Sequence, residues 1–229
     1  MGDGFRTLVC DLRITSLITN GVLTQLFLFP FAFVAFPFII IKVLGGVELD
    51  YGIVQSVATI GSVLAIVVVG WAKNRYNTAQ CIGIGILGML AFTVLLLPLS
   101  SYSILNLLHG NSFFIVPVFS AIIFIFYLSF GFYVVFYVTF YQTIVPQEKL
   151  GRYVAIQALL FALSRLIGLK LFGYLFDNFE LIVPILILLV GMILKLVVHI
   201  PFMKETKRLE ENVKLAMIRS STNEPGIGR

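Results

Sequence analysis

Charged residues are scarce in this sequence. Asp, Glu, Lys and Arg make up 12% of the 229 residues, AVILMFWYC residues make up 59%, and the mean hydropathy is +1.04. A soluble globular domain has about 25% charged residues. The shortage of charge excludes an ordinary soluble fold. It predicts an all-α integral membrane protein, in which apolar runs of roughly 20 residues cross the bilayer as helices.

Cysteine and histidine are also scarce. Cys10 and Cys81 are too few and too far apart to indicate a disulfide framework, and His109 and His199 have no cysteine or carboxylate at metal-ligand spacing. The sequence therefore predicts no metal site and no cofactor. The net charge of +5 is attributed to membrane topology, so no nucleic-acid partner is expected.

Long apolar runs separated by polar breaks predict six membrane-spanning helices. Their approximate ranges are 14–41, 51–71, 79–99, 113–142, 153–176 and 181–203. The first and fourth are longer than a straight crossing needs, so tilt or a kink is expected there. Pro30, Pro37 and Pro117 are the expected kink points, because each removes a backbone hydrogen bond.

Polar segments flank this predicted membrane domain of residues 14–203. Residues 1–13 place Phe5 and Leu12 on one helical face, which predicts a short segment lying on the cytoplasmic membrane surface. Residues 204–229 form a predicted cytoplasmic tail, helical at first and disordered in its final SSTNEPGIGR stretch.

Lysine and arginine are distributed unevenly between the two sides of the predicted helices. Of the 16, only Lys42 falls on one side, and Arg165, Lys170 and Lys195 lie within spans. All the others belong to the termini or to the loops after the second and fourth spans. Positive residues favour the cytoplasmic side, so a multi-pass protein of the plasma membrane with both termini in the cytoplasm is predicted.

Polar side chains deep within the spans are the candidate binding residues, since they are costly in hydrocarbon. Arg165 is about 12 residues into its predicted helix, near the bilayer centre, and is a candidate for a ligand or coupling role. Gln25 and Gln157 are further candidates for substrate contact, although a hydrogen bond between helices is an equally good interpretation. Lys170 and Lys195 lie nearer to helix ends, where snorkelling is expected.

Aromatic residues crowd the fourth predicted span. Phe130, Tyr133 and Tyr137 fall at offsets 0, 3 and 7, so they share one helical face. They are predicted to line an apolar cavity, with ordinary core or lipid-facing packing as the alternative. No Asp or Glu lies inside any predicted span, so these spans contain no buried carboxylate for proton coupling.

Two predicted cytoplasmic loops contain patterned residues. The first, GWAKNRYNTAQ, includes Gly70, Asn74 and Arg75. The second, VPQEKLGR, includes residues predicted to end one helix and begin the next, namely Pro146, Glu148, Gly151 and Arg152. A carboxylate near a helix N-terminus is favoured by the helix dipole.

The order of these motifs, with Gly168 and Gly173 following, resembles the second half of major facilitator superfamily transporters. The branch that contains macrolide-efflux and siderophore-export permeases is the most similar in pattern. Gly70, Asn74 and Arg75 stand where that family has a degenerate Gly-x-x-x-Asp-Arg loop. Asn74 replaces the aspartate there, so a weak charge relay is expected.

The resemblance implies a fold and a mechanism. Family members have twelve spans in two six-helix halves, and this chain corresponds to the C-terminal half. Alternating access would then move a hydrophobic or amphipathic small molecule out of the cell. The first, second, fourth and fifth spans would face the cavity, the third and sixth would lie towards lipid, and the loops at Arg75 and Arg152 would act as latches. The expected partner is an N-terminal half or a second copy of the chain.

The alternative is an autonomous six-span protein, such as a membrane enzyme, a channel or a non-transporting subunit. The sequence has no HExxH motif, no clustered carboxylates and no nucleophile elbow, so no catalytic residues are predicted. A pore would favour a polar stripe along one helix, whereas the polar residues within these spans are isolated.

Overall fold

The computed structural model describes residues 12–222, which form helices joined by short loops, with no strand in that range. Six helices are long and apolar enough to cross a membrane. These are α1 (Leu12–Val43), α2 (Glu48–Ala72), α3 (Thr78–Leu96), α5 (Ser112–Ile144), α6 (Gln147–Asn178) and α7 (Ile182–Thr222), and the short helix α4 (Tyr102–Leu108) lies between α3 and α5. The predicted all-α protein with six membrane-spanning helices is confirmed.

The helix ends extend beyond the apolar runs. α6 begins at Gln147, six residues before the predicted start, because Pro146 takes the extended conformation that precedes its first turn. α7 continues without a break past residue 203 to Thr222, through a segment rich in helix-favouring Lys, Glu, Leu and Ala. Residues 1–11 and 223–229 lie outside the described residues, and with them most of the predicted surface segment 1–13 and most of the predicted disordered end 220–229. The described ends of these two segments, residues 12–13 and 220–222, belong to α1 and α7.

α1 is irregular where its prolines predict irregularity. Two π-helical stretches, Thr24–Leu28 and Phe38–Val43, interrupt it. Pro30 follows the first stretch and Pro37 directly precedes the second. Proline has no N–H and its ring clashes with the carbonyl four residues earlier, and a widened turn is one local way to relieve both effects.

Each helix packs against only some of the others, and this arrangement leaves a cleft in the bundle. α5 packs against α2 and α3, α3 also packs against α7, α7 against α1, and α1 against α6. α5 makes only sparse direct contact with α1. As a result, α5 faces the α1–α6 pair across a cleft.

Burial differs among the helices in a way that the resemblance does not predict. In its most apolar stretch α3 has 50% of its residues buried, against 22% for α2 and 17% for α6. Within this chain α3 is thus the span with the largest buried share, because it packs against both α5 and α7.

Glycine allows α6 to approach α1 closely. A Cβ atom on Gly168 would collide with the Leu26 carbonyl oxygen and with the Pro30 ring. The contact therefore falls on the first π-helical stretch of α1 and the proline that follows it. Gly173 in the same helix has open space around it.

Candidate functional site

A cavity of about 260 Å³ occupies the cleft between α1, α5 and α6. Its size lies near the lower end of small-molecule pockets, which are roughly 300–1,000 Å³. Most of its wall is apolar or aromatic. The lining residues are Gly21, Thr24, Gln25, Phe130, Tyr133, Val134, Tyr137, Val138, Tyr141, Gln157 and Phe161.

The cavity brings together five of the six candidate substrate-binding residues. Gln25 comes from α1, Gln157 comes from α6, and Phe130, Tyr133 and Tyr137 come from α5. The helical spacing along α5 explains why its three aromatic side chains reach one cavity. No lining residue comes from the second span, α2, which differs from the expectation for that helix.

Arg165 lies next to the cavity and is bonded to its wall. Its Nε and Nη2 atoms donate hydrogen bonds of 3.0 and 2.8 Å to Gln25 Oε1. Its guanidinium carbon lies 4.3 Å from the centre of the Phe29 ring, a cation–π contact. Gln157, Phe161 and Arg165 are spaced four residues apart, so Arg165 continues the cavity-facing stripe of α6. Its side chain is exposed.

At the other end of the cavity, α5 and α6 are joined by a buried hydrogen bond. Gln157 Nε2 donates to the Tyr137 hydroxyl at 2.8 Å. Gln157 is 7% exposed and Tyr137 is 5% exposed. From Phe130 to Tyr141 the lining of α5 extends about 16 Å along the helix axis, at 1.5 Å per residue.

A buried polar network lies behind one wall of the cavity. Lys195 Nζ on α7 donates a 2.6 Å hydrogen bond to Thr24 Oγ1 on α1, and it lies 3.8 Å from the Tyr133 ring centre on α5. The Tyr133 hydroxyl donates to Asn20 Oδ1 at 3.0 Å, and Asn20 Nδ2 donates to the Lys195 carbonyl at 3.0 Å. Three helices are therefore joined by one cluster of polar groups.

Lys195 does not snorkel, which corrects the sequence-based expectation. Its side chain is 0% exposed. The interpretation from helix position was wrong because α1 and α7 enclose the lysine with polar partners at its own depth. A signal was present in the sequence, since Ser16, Asn20 and Thr24 form a polar stripe at spacing four along α1. That stripe meets α7, where Ser16 Oγ also donates to the Val198 carbonyl at 2.6 Å.

Comparisons with protein-family models, with curated proteins and with solved structures give no match for this chain. Its function is therefore inferred from its own residues.

The first loop motif begins within a helix. Gly70 belongs to α2, which continues to Ala72, and Asn74 follows in the exposed turn. The Arg75 guanidinium lies 4.6 Å from the centre of the Trp71 ring. Asn77 caps the next helix by accepting a 2.9 Å hydrogen bond from the Gln80 backbone N–H.

The second loop motif is a tight turn between α5 and α6. α5 ends at Ile144, and Pro146 precedes the first residue of α6. Glu148 lies in the first turn of α6, as expected, with Gly151 and Arg152 in the turn that follows. All four of these residues are exposed, and none of them lines the cavity.

A second cavity, of about 290 Å³, lies on the opposite side of α5, between α2 and α3. Val68, Ser129 and Phe132 are among its lining residues, none of which is charged. Among the side chains that the structure describes, in residues 12–206 and at 208, no group of three His, Cys, Asp or Glu is placed to hold a metal ion. The cavity next to Arg165 and Lys195 is thus the candidate site.

Proposed function

We propose that this chain binds a hydrophobic or amphipathic small molecule in the cavity between α1, α5 and α6 and exports it across the plasma membrane. In this proposal the chain is the C-terminal half of a major facilitator-type secondary transporter that works by alternating access. The supporting observation is that Gln25 of α1, Gln157 of α6 and one aromatic face of α5, all predicted from the sequence as substrate contacts, line one cavity.

The chemistry of the cavity suits such a ligand. Aromatic and aliphatic walls would hold an apolar body, and a few polar groups on different helices, such as Gln25 and Gln157, would orient it. The ligand would contact α5 on one side and the α1–α6 pair on the other. A change in the separation of these walls would therefore alter the site directly.

The proposal includes a second six-helix half, supplied by another chain or by a second copy of this one. Arg165 is exposed on α6, which has the smallest buried share of the six helices. An arginine at the centre of a membrane helix costs about 2.5–3.5 kcal/mol on insertion scales if it faces lipid. A partner that covers α6 would remove that contact with lipid. With both termini in the cytoplasm, the loops at Arg75 and Arg152 would lie on the cytoplasmic face and act as latches.

The test is an export assay in the chain's own cells, where any partner is present. The cells would be loaded with a panel of apolar and amphipathic fluorescent compounds and their retention measured. Val138→Trp fills the cavity from α5, and Val197→Trp adds the same bulk to an exposed apolar position of α7. We expect greater retention of at least one compound with Val138→Trp and unchanged retention with Val197→Trp. Equal retention of every compound in all three strains would contradict the proposal.

A further inference from the structure

The exposed charged group nearest to the cavity is a cation. Arg165 bonds to Gln25, which lines the cavity. No lining residue is acidic. Within the described part of the chain, Arg165 has no carboxylate among its hydrogen-bond partners. Lys195 lies behind Thr24, but it is fully buried without a carboxylate partner among the described residues, so burial disfavours its charged form and it does not count as a cation of the cavity.

Arg165 has donors to spare at the end of the cavity. A guanidinium has five N–H groups in a planar fork, and two of them point at Gln25 Oε1. The other three have no acceptor among the groups that the structure describes. Contact with Gln25 and with Phe29 orients the fork, so it is pre-organised for the two oxygens of a carboxylate or a similar acid group.

From this charge arrangement we infer that the cavity takes an amphipathic anion. Its apolar or aromatic body lies between the α5 aromatics and Phe161, and its single acid group binds at Arg165. This inference rests on the proposed function and adds the substrate class to it. The same acid chemistry could come from a free small molecule or from an anionic lipid headgroup, and we assign it to a free small molecule because the lining walls enclose an apolar body beside the guanidinium.

The test uses three probes with one apolar body and different charge: pyrenebutyrate, its neutral primary amide and the matching pyrenebutyl trimethylammonium. Binding to the full chain in phosphatidylcholine nanodiscs would be measured by equilibrium dialysis, with empty nanodiscs subtracted for partition into lipid. We expect the anion to bind most tightly and the trimethylammonium compound least tightly. Val138→Trp should remove binding above the empty-disc level, which would locate the site in the cavity.

Matched variants then identify the cation responsible. Arg165→Gln should weaken the affinity for pyrenebutyrate about tenfold, the loss expected for one charge-assisted contact, and leave that for the amide unchanged. Unchanged amide binding also shows that the variant is folded. Lys195→Met should leave anion binding unchanged, because this lysine is fully buried behind the wall without a carboxylate partner among the described residues. Lys170→Gln removes an exposed cation from the same helix as Arg165 and should have no effect.

Three results would overturn the inference. Equal binding of the three probes, lost in Val138→Trp, would leave the cavity as a binding site and remove its charge preference. Displacement of pyrenebutyrate when phosphatidylglycerol replaces part of the neutral lipid would assign the acid site to a lipid headgroup. Absence of binding by all three probes, or binding that Val138→Trp does not change, would contradict both the inference and the proposed function.

Discussion

Lys195 Nζ donates a 2.6 Å hydrogen bond to the Thr24 hydroxyl, with both side chains buried between α1, α5 and α7. Thr24 lines the cavity and Lys195 lies directly behind it, and Asn20 and Tyr133 complete the polar cluster. Depriving a buried donor of its acceptor is costly, whereas replacing a buried polar group by an apolar side chain of similar volume removes the cost of its desolvation. The two residues should therefore respond differently to substitution.

Thr24→Val should lower the free energy of unfolding by about 1–3 kcal/mol, because Lys195 Nζ loses its acceptor. Lys195→Met should be close to neutral. In the double variant Thr24→Val/Lys195→Met most of the loss should be recovered, since no donor is then left without a partner. The measurement is reversible denaturation of the purified full chain in detergent. Additive losses in the double variant would show that the contact does not couple the two sites.

Gly168 and Gly173 provide a matched pair within α6. Gly168→Ala should destabilise the chain by about 1–3 kcal/mol, because the new Cβ would collide with the Leu26 carbonyl and the Pro30 ring. Gly173→Ala meets open space and should be neutral or stabilising by up to about 1 kcal/mol. The same denaturation assay compares them. Similar values for the two variants would mean that α6 does not pack against the proline-containing part of α1.

Substitutions in the two loops test their proposed role as latches. Arg75→Ala and Arg152→Ala should reduce export, while changing stability by no more than about 0.5 kcal/mol, as is usual for exposed positions. Lys73→Ala removes a neighbouring exposed cation and should leave export unchanged. Retention of a fluorescent substrate and thermal unfolding would be measured for each variant. Equal export by all three variants would contradict the latch role.

A photo-crosslinking amino acid can reveal the proposed partner. Benzoylphenylalanine in place of Leu166 would lie on the exposed face of α6, and in place of Val190 it would lie on an exposed part of α7. After illumination in native membranes we expect a larger product from the Leu166 position and none from the Val190 position. Its mass identifies a second copy or another chain. A chain that remains monomeric with the Leu166 substitution would weaken the case for a partner half.

The hydropathy of the sequence predicts the number of helices and their approximate positions, and helical spacing predicts that Phe130, Tyr133 and Tyr137 share a face. This spacing does not predict which helix the shared face contacts. Lys195 illustrates the limit, because its burial depends on the polar stripe of α1, about 175 residues away in sequence. The stripe indicates that this face of α1 meets polar groups, but it does not indicate which helix supplies them.

Other differences have similar physical causes. The sequence predicts a span that ends at residue 203 and a tail that is helical at first. The two form one continuous helix, α7, which ends at Thr222, because helix formation depends on backbone propensity as well as hydropathy. The enclosure of α3 follows from its contacts with both α5 and α7, which its composition does not indicate.

The central claim is that the cavity between α1, α5 and α6 is open to a water-borne ligand, and cysteine labelling tests it most directly. With Cys10 and Cys81 replaced by serine, single cysteines would be placed at Val138 in the cavity, at Val197 on an exposed face of α7 and at Asn106 in α4. A water-soluble, charged thiol reagent would then be applied to both sides of the membrane. Since the thiolate is the reactive form, a cysteine that faces lipid should react slowly.

We expect the cysteine at Val138 to react at a rate near that of the exposed control at Asn106, and the cysteine at Val197 to remain unmodified. A negatively charged reagent should also react faster at Val138 than a positively charged one of the same size. If the cysteine at Val138 is as unreactive as the one at Val197, the cavity is closed to water and cannot be the site through which a solute passes.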